Sequence, residues 1–275
     1  MSDPFERIDY ELVHKILLQF LRTEIGRTGL KRGILGLSGG LDSALVCYLA
    51  AEALGPEQVT AVAMPYRSSS PQSLAHAKIV AELTGVELIE RDITSMIDAY
   101  FEKDPDAGSL RRGNKMARER MSILYDISAE QGALVLGTSN KSELFLGYGT
   151  AFGDLASAVN PIGDLFKSEV RRLSRLLKVP AEIVDKAPSA DLWAGQSDEE
   201  ELGFTYEAVD PLLRMILDER HSERECVEAG YEEAMVTRVH EMIRKSQFKR
   251  RLPVIAKLSR RTVDRDFRYP RDWGS

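Results

Sequence analysis

The sequence has few of the residues that build disulfide frameworks and zinc sites. Of its 275 residues only two are cysteines, and Cys47 and Cys226 have no paired spacing of the kind that binds zinc or forms a set of disulfides. We therefore expect both to be free thiols. The chain also shows no internal repeat.

Long hydrophobic runs are missing as well. No apolar stretch approaches the length of a membrane span, and the N-terminal residues 1–6 do not have the pattern of a signal peptide. We expect a cytoplasmic protein without a membrane partner. A net charge of -6 argues against a general nucleic-acid binder, and the composition, 43% hydrophobic and 29% charged, is ordinary for a globular protein.

Residues 34–43 carry the strongest local pattern. An apolar run breaks into Ser38-Gly39-Gly40 and resumes as an apolar-periodic segment at 44–54, which predicts a strand, a phosphate-binding loop and a helix. The glycines let the backbone approach an anion closely. The free N–H groups at the start of the helix would then face the ligand.

Asp42 lies at the mouth of this loop, where a carboxylate would repel a bare phosphate. Its position is favourable when a divalent cation lies between the carboxylate and the phosphate oxygens, so the loop predicts a metal-bound nucleotide. The Gly-Lys-Ser/Thr ending of a kinase-type phosphate loop is absent, and we do not expect γ-phosphoryl transfer. Ser-Gly-Gly-Leu-Asp-Ser resembles instead the pyrophosphate loop of the ATP pyrophosphatase superfamily, whose members release pyrophosphate and adenylate a substrate oxygen.

The rest of the chain alternates between strand and helix patterns. Strands are predicted at 34–37, 59–64, 86–89 and 133–137, and helices at 8–25, 44–54, 71–85, 93–101 and 114–130. This alternation predicts an α/β fold, with a doubly wound, mostly parallel sheet and helices on both of its faces. We also expect a mobile loop at 102–113, a long ordered loop over the site at 147–163, and a C-terminal helical segment at 206–246.

Glu143 follows the fourth predicted strand. The carboxyl ends of parallel strands share one edge of a sheet, so we expect this carboxylate on the same rim as Asp42. Two carboxylates and phosphate oxygens make a reasonable magnesium site. A helix-capping role for Glu143 is the alternative.

Two groups of basic residues have more than one interpretation. Arg118 and Arg120 lie near the start of the predicted helix at 114–130, where they could hold a nucleotide phosphate or form a solvated face. The segment 244–271 is rich in lysine and arginine. It could bind RNA or close over a polyanionic small molecule.

Several distant segments together resemble NAD synthetase, and the resemblance covers nearly the whole chain. Besides the loop at 34–43, they are Gly-Asn-Lys-Met-Ala-Arg-Glu-Arg-Met at 113–121, Gly-Thr-Ser-Asn-Lys-Ser-Glu at 137–143, Pro-Ile-Gly-Asp-Leu-Phe-Lys at 161–167, Lys-Ala-Pro-Ser-Ala-Asp-Leu-Trp-Ala-Gly-Gln at 186–196 and Phe-Lys-Arg-Arg-Leu-Pro at 248–253. The resemblance implies one domain over 1–275 of the adenine nucleotide alpha hydrolase type. Its catalytic core would span about 30–190, and its helical and basic part about 191–275.

This resemblance implies an amidation of deamido-NAD. ATP and Mg²⁺ convert the nicotinate carboxylate to an acyl adenylate, pyrophosphate leaves, and ammonia attacks to give NAD and AMP. A carboxylate is a poor electrophile, and adenylation gives it a good leaving group. The enzyme's task is then mainly positioning and charge stabilisation.

The same resemblance implies roles for individual residues. ATP would be held by Gly36, Leu37, Ser38, Gly39, Gly40, Leu41, Asp42, Ser43, Thr138, Lys167 and Ser189. Asp42 and Glu143 would hold magnesium, and Asp42 and Lys167 would be catalytic, with Lys167 stabilising charge on the separating phosphates. For deamido-NAD, Arg118 matches a family contact, and Lys249 matches the lysine of a C-terminal His-Lys pair.

Three positions depart from the single-domain bacterial pattern. Ala151, Ala158 and Phe248 stand where those enzymes usually have a Lys, an Asp and a His that touch deamido-NAD. The loops at 64–70 and 148–156 resemble instead the synthetase domain of glutamine-dependent NAD synthetases. Asp154 and Tyr148 are our candidates for the compensating contacts.

The resemblance also bears on partners. The family is homodimeric, with the dinucleotide near the subunit interface, and we expect the same here. The chain has no glutaminase segment ahead of the loop, so we expect free ammonia as the nitrogen donor, with a separate glutaminase subunit as the alternative. Three other functions stay open: the same chemistry on nicotinate mononucleotide or another carboxylate, an RNA-binding or tRNA-modifying protein on this fold, and a non-catalytic ATP-binding regulator.

Overall fold

A four-stranded parallel sheet forms the centre of the fold. The computed structural model describes residues 4–193, 195–251 and 254–262. The strands are Arg32–Gly36 (β1), Val59–Ala63 (β2), Glu87–Glu90 (β3) and Ala133–Val135 (β4). Their order across the sheet is β3-β2-β1-β4. The predicted α/β fold with a parallel sheet is therefore confirmed.

Helices connect the strands and continue after the last one. Those of the first part are Tyr10–Arg27 (α1), Leu41–Leu54 (α2), Pro71–Thr84 (α3), Thr94–Phe101 (α4) and Ser109–Gln131 (α5). Those after the sheet are Lys141–Leu146 (α6), Lys167–Leu176 (α7), Ala181–Val184 (α8), Asp198–Leu202 (α9), Tyr206–Leu217 (α10), Glu223–Glu228 (α11) and Glu233–Lys245 (α12). Among the helices that the structure describes, none is both long and apolar enough to cross a membrane.

The two faces of the sheet are covered by different helices. In β1 successive side chains point to opposite faces, so Leu35 packs with α1, α2, α3 and α7 while Ile34 packs with α4 and α5. Helix α2 is apolar on nearly all sides and is buried accordingly. Helices on both faces make the sheet doubly wound, as the sequence predicts.

The helices after α7 build a third apolar cluster. Its fully buried members include Tyr206, Val209 and Leu213 of α10 together with Cys226 of α11. This region confirms the helical segment predicted at 206–246. Both cysteines are free, as predicted, and the structure shows that both are buried.

The prediction for 102–113 was wrong at its second half. Helix α5 begins at Ser109 rather than at 114, so only the residues up to Gly108 form a loop. Gly113 suggested a helix boundary, yet it lies inside the helix. A Cβ atom there would come within 3.0 Å of Leu192 and 3.3 Å of Trp193. This glycine therefore serves close packing rather than a turn.

The strand order places the loops of interest together. The chain moves from β1 through β2 to β3 on one side and returns to β4 on the other, so the topology reverses between β1 and β4. Open parallel sheets bind ligands outside the carboxyl ends of their strands at this point. The loop after β1 and the segment after β4 meet there. The predicted long loop at 147–163 contains no helix, and its Val159 pairs with Leu136 beyond β4.

Candidate active site

A cleft of about 610 Å³ opens at the carboxyl edge of β1 and β4. Most residues that the sequence analysis assigns to ATP and magnesium lie in its wall: Gly36, Leu37, Ser38, Gly40, Leu41, Asp42, Ser43, Thr138, Glu143, Lys167 and Ser189. Gly39 does not line the cleft but forms the turn behind it. The topology thus brings together segments that are far apart in the sequence.

The loop after β1 is held by its own side chains. The Ser43 hydroxyl donates to the Gly40 carbonyl oxygen at 3.0 Å, and the Ser38 N–H donates to the Ser43 hydroxyl at 3.2 Å. Gly39 has φ +75°, and a Cβ atom on it would lie 2.0 Å from the carbonyl oxygen of Ser73. Only glycine fits this turn.

The start of α2 faces the cleft with its backbone N–H groups. Gly40 is the N-cap residue and supplies no side-chain cap. The first N–H groups of a helix have no partner within the helix and carry a partial positive charge. This end of α2 is therefore suited to bind an anion such as a phosphate.

Three charged side chains form the centre of the cleft. The ammonium group of Lys167 contacts the carboxylate of Asp42 and lies 3.4 Å from Oε1 of Glu143. The Lys167 side chain is only 5% exposed, with Asp42 and Glu143 at 16% and 15%. Its Nζ also lies 5.4 Å from the centre of the Tyr206 ring.

The protonation of these groups follows from their neighbours. Burial alone would lower the pKa of Lys167, but the facing carboxylates of Asp42 and Glu143 outweigh it and raise this pKa above its usual value. Burial, followed by the negative charge of Asp42, raises the pKa of Glu143 even though Lys167 opposes the shift. Glu143 therefore holds a proton more readily than an ordinary carboxyl group, and a cation bound between the two carboxylates would take the place of that proton.

The two carboxylates are held by Asn140, which the sequence analysis did not single out. Its Nδ2 donates to Asp42 at 2.9 Å, and its Oδ1 accepts the N–H of Glu143 at 3.0 Å. Asn140 is the N-cap of α6, and Glu143 returns a bond to the Asn140 backbone in a capping box. Glu143 therefore caps α6 and lines the cleft at the same time, so its two interpretations are compatible.

Asp210 lies outside the cleft and links the N-termini of α6 and α7 by hydrogen bonds. Its carboxylate accepts the Ser142 hydroxyl at 2.6 Å and the Ser168 N–H at 2.7 Å, while Ser142 in turn accepts the N–H of Lys167 at 3.0 Å. Asp210 is fully buried. Since it belongs to α10, no local sequence signal connects it to the site.

The polar loop after β2 and the segment at 186–193 both line the cleft and are hydrogen-bonded to each other. Both carboxylate oxygens of Asp191 accept the N–H of Ser70 at 3.1 Å, and Lys186 donates to the Ser73 hydroxyl at 3.1 Å. Arg120 lines the cleft and donates to the Met64 carbonyl oxygen at 3.0 Å. Of the two arginines with open interpretations, Arg120 therefore faces the cleft.

Three of the residues assigned to deamido-NAD also line the cleft. The Tyr148 hydroxyl donates to the buried carboxylate of Asp198 at 2.9 Å. Asp154 accepts the N–H of Thr150 at 2.9 Å. Lys249 donates to the carbonyl oxygens of residues 147 and 149, each at 2.8 Å.

Arg118, the fourth residue assigned to deamido-NAD, does not line the cleft. Neither do the three residues that depart from the bacterial pattern, Ala151, Ala158 and Phe248. Arg118 is exposed, and its Nε donates to the carbonyl oxygen of Ala151 at 3.2 Å. The N–H of Ala158 donates to Val135 at 3.0 Å, and Phe248 is an exposed side chain. The last part of the basic segment, 263–271, lies outside the described residues.

The fold and the site together define a class of protein. A parallel doubly wound sheet, a glycine-rich anion loop at its reversal point and an acidic pair beside a buried lysine are the features of an α/β nucleotide-binding enzyme.

Comparison with known proteins defines the family. The sequence profile described as NAD synthase matches residues 13–253, and the chain belongs to this family. An NH(3)-dependent NAD(+) synthetase of Trichlorobacter lovleyi is 60% identical over 97% of this chain and 98% of its own length.

Two solved structures share the fold. An NH3-dependent NAD synthetase from Campylobacter jejuni has a TM-score of 0.79 and 33% identity, covering 91% of this chain and 100% of that one. An NMN synthetase from Francisella tularensis has a TM-score of 0.81 and 30% identity, covering 90% of this chain and 99% of that one.

Proposed function

We propose that this protein amidates deamido-NAD to NAD, with ATP as the co-substrate and ammonia as the nitrogen donor. The observation that carries the proposal is the group of Asp42, Glu143 and Lys167 beside the anion loop at the open end of α2. The relative of Trichlorobacter lovleyi, at 60% identity over nearly the whole chain, bears the name of the same activity.

In the first step, an oxygen of the nicotinate carboxylate attacks the α-phosphorus of ATP, and the bond to pyrophosphate breaks. The backbone N–H groups of the loop and of α2 hold the phosphates. Lys167 is ready for this step because its neighbours keep it protonated, and its ammonium group stabilises negative charge on the departing pyrophosphate.

In the second step, the nitrogen of ammonia attacks the acyl carbon, loses a proton and displaces AMP. The reaction requires that water be kept from the acyl adenylate, since hydrolysis would waste it. The contacts of Asp191 with Ser70 and of Lys186 with Ser73 join two segments of the cleft wall and limit the access of water along that seam.

Magnesium fits the residues present. A divalent cation between Asp42 and Glu143 would replace the proton that the raised pKa of Glu143 favours, and carboxylate oxygens are ligands it prefers. The described residues contain no cluster of three or more metal-binding side chains, so these two carboxylates would hold Mg²⁺ together with phosphate and water oxygens. Bound there, it neutralises phosphate charge.

The dinucleotide is favoured over the mononucleotide as the acceptor. The relatives that are 56–60% identical bear the name of NAD synthetases, whereas the NMN synthetase of Francisella tularensis is 30% identical. Thr138, Ser189, Tyr148, Asp154, Lys249 and Arg118 keep their assignments to the two nucleotides as part of the proposal, as do the homodimer and the cytoplasmic location.

The test is a comparison of acceptors. Purified protein is given ATP, Mg²⁺ and ammonium with either deamido-NAD or nicotinate mononucleotide, and the amide product and AMP are quantified by chromatography. We expect NAD and AMP in equal amounts and a higher kcat/KM for the dinucleotide. A preference for the mononucleotide, or AMP without any amide, would contradict the proposal. Replacing ammonium by glutamine in the same assay shows whether a separate glutaminase is needed.

A further inference from the structure

The turn at 150–154 carries an unusual aromatic residue at its apex. Phe152 has φ +62°, in the left-handed region that bulky residues rarely adopt. The N–H of Gly153 donates to the Thr150 carbonyl oxygen at 2.9 Å, so Phe152 is the third residue of a four-residue turn. At this position a positive φ normally selects glycine or asparagine.

Helix α5 fixes this turn from one side. Thr150 donates through its hydroxyl to Asn114 at 2.9 Å, and Arg118 donates to the Ala151 carbonyl oxygen at 3.2 Å. Gly153 is pressed against the helix, since a Cβ atom on it would come within 3.0 Å of Ala117. The turn is thus anchored at Thr150, Ala151 and Gly153, on both sides of Phe152, which accounts for the persistence of the strained conformation.

The Phe152 ring itself is not packed into the protein. It is 73% exposed, so it gains little from apolar burial while the backbone keeps its strain. The exposed guanidinium group of Arg118 is tied to the neighbouring peptide. An exposed ring whose preceding residue is bonded to a cation is suited to bind a nucleotide, with a base stacked on the ring and a phosphate at the cation.

The turn lies at the rim of the cleft. Thr150 and Asp154 line the cleft, whereas Phe152 and Arg118 do not. A cleft of about 610 Å³ is of the size that usually holds one small ligand, and the reaction brings two nucleotides together. The acceptor must place its nicotinate carboxylate beside the phosphates of ATP, so the far end of a dinucleotide extends out of the cleft.

We propose that Phe152 is a specificity-determining residue that stacks on the adenine ring of the dinucleotide acceptor, with Arg118 at the adjoining phosphate. This inference rests on the proposed function and deepens it. Nicotinate mononucleotide has no adenine, so the Phe152 ring contributes to the binding of the dinucleotide only. The contact explains how the acceptor is held at a rim where Ala151 supplies no polar side chain.

The test is a comparison of Phe152→Ala, Phe152→Gly and Phe152→Tyr with the wild type. Stacking of a base on an aromatic side chain contributes ~1–2 kcal/mol at exposed positions, so we expect kcat/KM for deamido-NAD to fall about 5- to 30-fold in the alanine and glycine variants. The tyrosine variant keeps the ring and should stay within about twofold of the wild type. The KM for ATP and the kcat/KM for nicotinate mononucleotide as acceptor should not change.

Controls separate the loss of the ring from other effects. Phe152→Gly removes the ring and the backbone strain together, so a well-folded glycine variant with weak acceptor binding shows that the ring itself is needed. Tyr100→Ala removes an exposed aromatic residue away from the cleft and should behave like the wild type.

Three results would overturn the inference: no loss of kcat/KM in the alanine variant, an equal loss with both acceptors, or a change from dimer to monomer in light scattering, which would place the ring in a subunit contact. A wild type that makes no NAD from deamido-NAD would instead show that the proposed function has failed.

Discussion

Glu169 allows a quantitative test of how burial shifts the pKa of a carboxyl group and thereby changes the stability of this protein. Its side chain lies in the first turn of α7, is 7% exposed, and accepts the N–H of Phe166 at 2.8 Å. Burial raises the pKa of Glu169 to about 7. The charged groups that face it are Lys141, which lowers this pKa, and Asp210 and Asp164, which raise it further.

The direction of the effect on stability follows from proton binding. The usual pKa of this carboxyl group is 4.5, so between about pH 4.5 and about pH 7 the folded state holds a proton that the unfolded state has lost. The free energy of unfolding therefore falls as the pH rises through this range and levels off above it. At about 1.4 kcal/mol for each pKa unit, the expected loss is ~3 kcal/mol.

The assay compares the wild type with Glu169→Gln by urea unfolding from about pH 5 to about pH 8. Glutamine does not titrate, and its carbonyl oxygen can still accept the Phe166 N–H. We expect the two proteins to be similarly stable at the acidic end and the variant to be more stable by ~3 kcal/mol at the alkaline end. Other titrating groups are common to both proteins and cancel in the difference. Glu130→Gln, at an exposed position of α5, is the matched control.

A difference between wild type and Glu169→Gln that stays constant with pH would refute the reasoning. So would a difference of the opposite sign, in which the wild type gains stability relative to the variant as the pH rises. Either result would mean that the carboxyl group is ionised in the folded protein at neutral pH.

Three further predictions concern Lys167, the loop after β1 and the buried Tyr206. Lys167→Met should lower kcat for NAD formation about 10²- to 10³-fold, because it removes charge stabilisation in the transition state, and circular dichroism should show an intact fold. Gly39→Ala should raise the KM for ATP at least about tenfold, because the new methyl group collides with the carbonyl oxygen of Ser73; an unchanged KM would contradict the strained-turn assignment. Tyr206→Phe should raise the free energy of unfolding by ~1 kcal/mol, because the buried hydroxyl has no hydrogen-bond partner among the described residues, and a clear loss of stability in thermal unfolding would contradict that.

Local patterns predicted the elements that hold the anion loop. Alternating apolar segments indicated β1, β2 and their helices, and the rule that parallel strands end at one edge brought Asp42 and Glu143 to the same rim. In the structure the carboxylates of both residues face the ammonium group of Lys167. The catalytic role proposed for Lys167 rests on the resemblance, since a lysine at the start of a helix has no local signature of catalysis.

The contacts that the sequence did not predict are those between distant segments. Asp191 reaches Ser70 and Asp210 reaches Ser142 across long stretches of chain, and nothing in the neighbourhood of either aspartate indicates its partner. The end of the loop predicted at Gly113 was wrong because of another contact between distant segments. The local meaning of Gly113, a helix boundary, is overridden by the close approach of Leu192 and Trp193.

The proposed function requires that the acceptor carboxylate be adenylated beside Asp42, Glu143 and Lys167. The most direct measurement supplies deamido-NAD labelled with oxygen-18 in its carboxylate, together with ATP, Mg²⁺ and ammonium, and follows the label by mass spectrometry. We predict that NAD keeps one labelled oxygen and AMP receives the other, and that Asp42→Asn loses both products. Label in inorganic phosphate, with ADP as the nucleotide product, would contradict it.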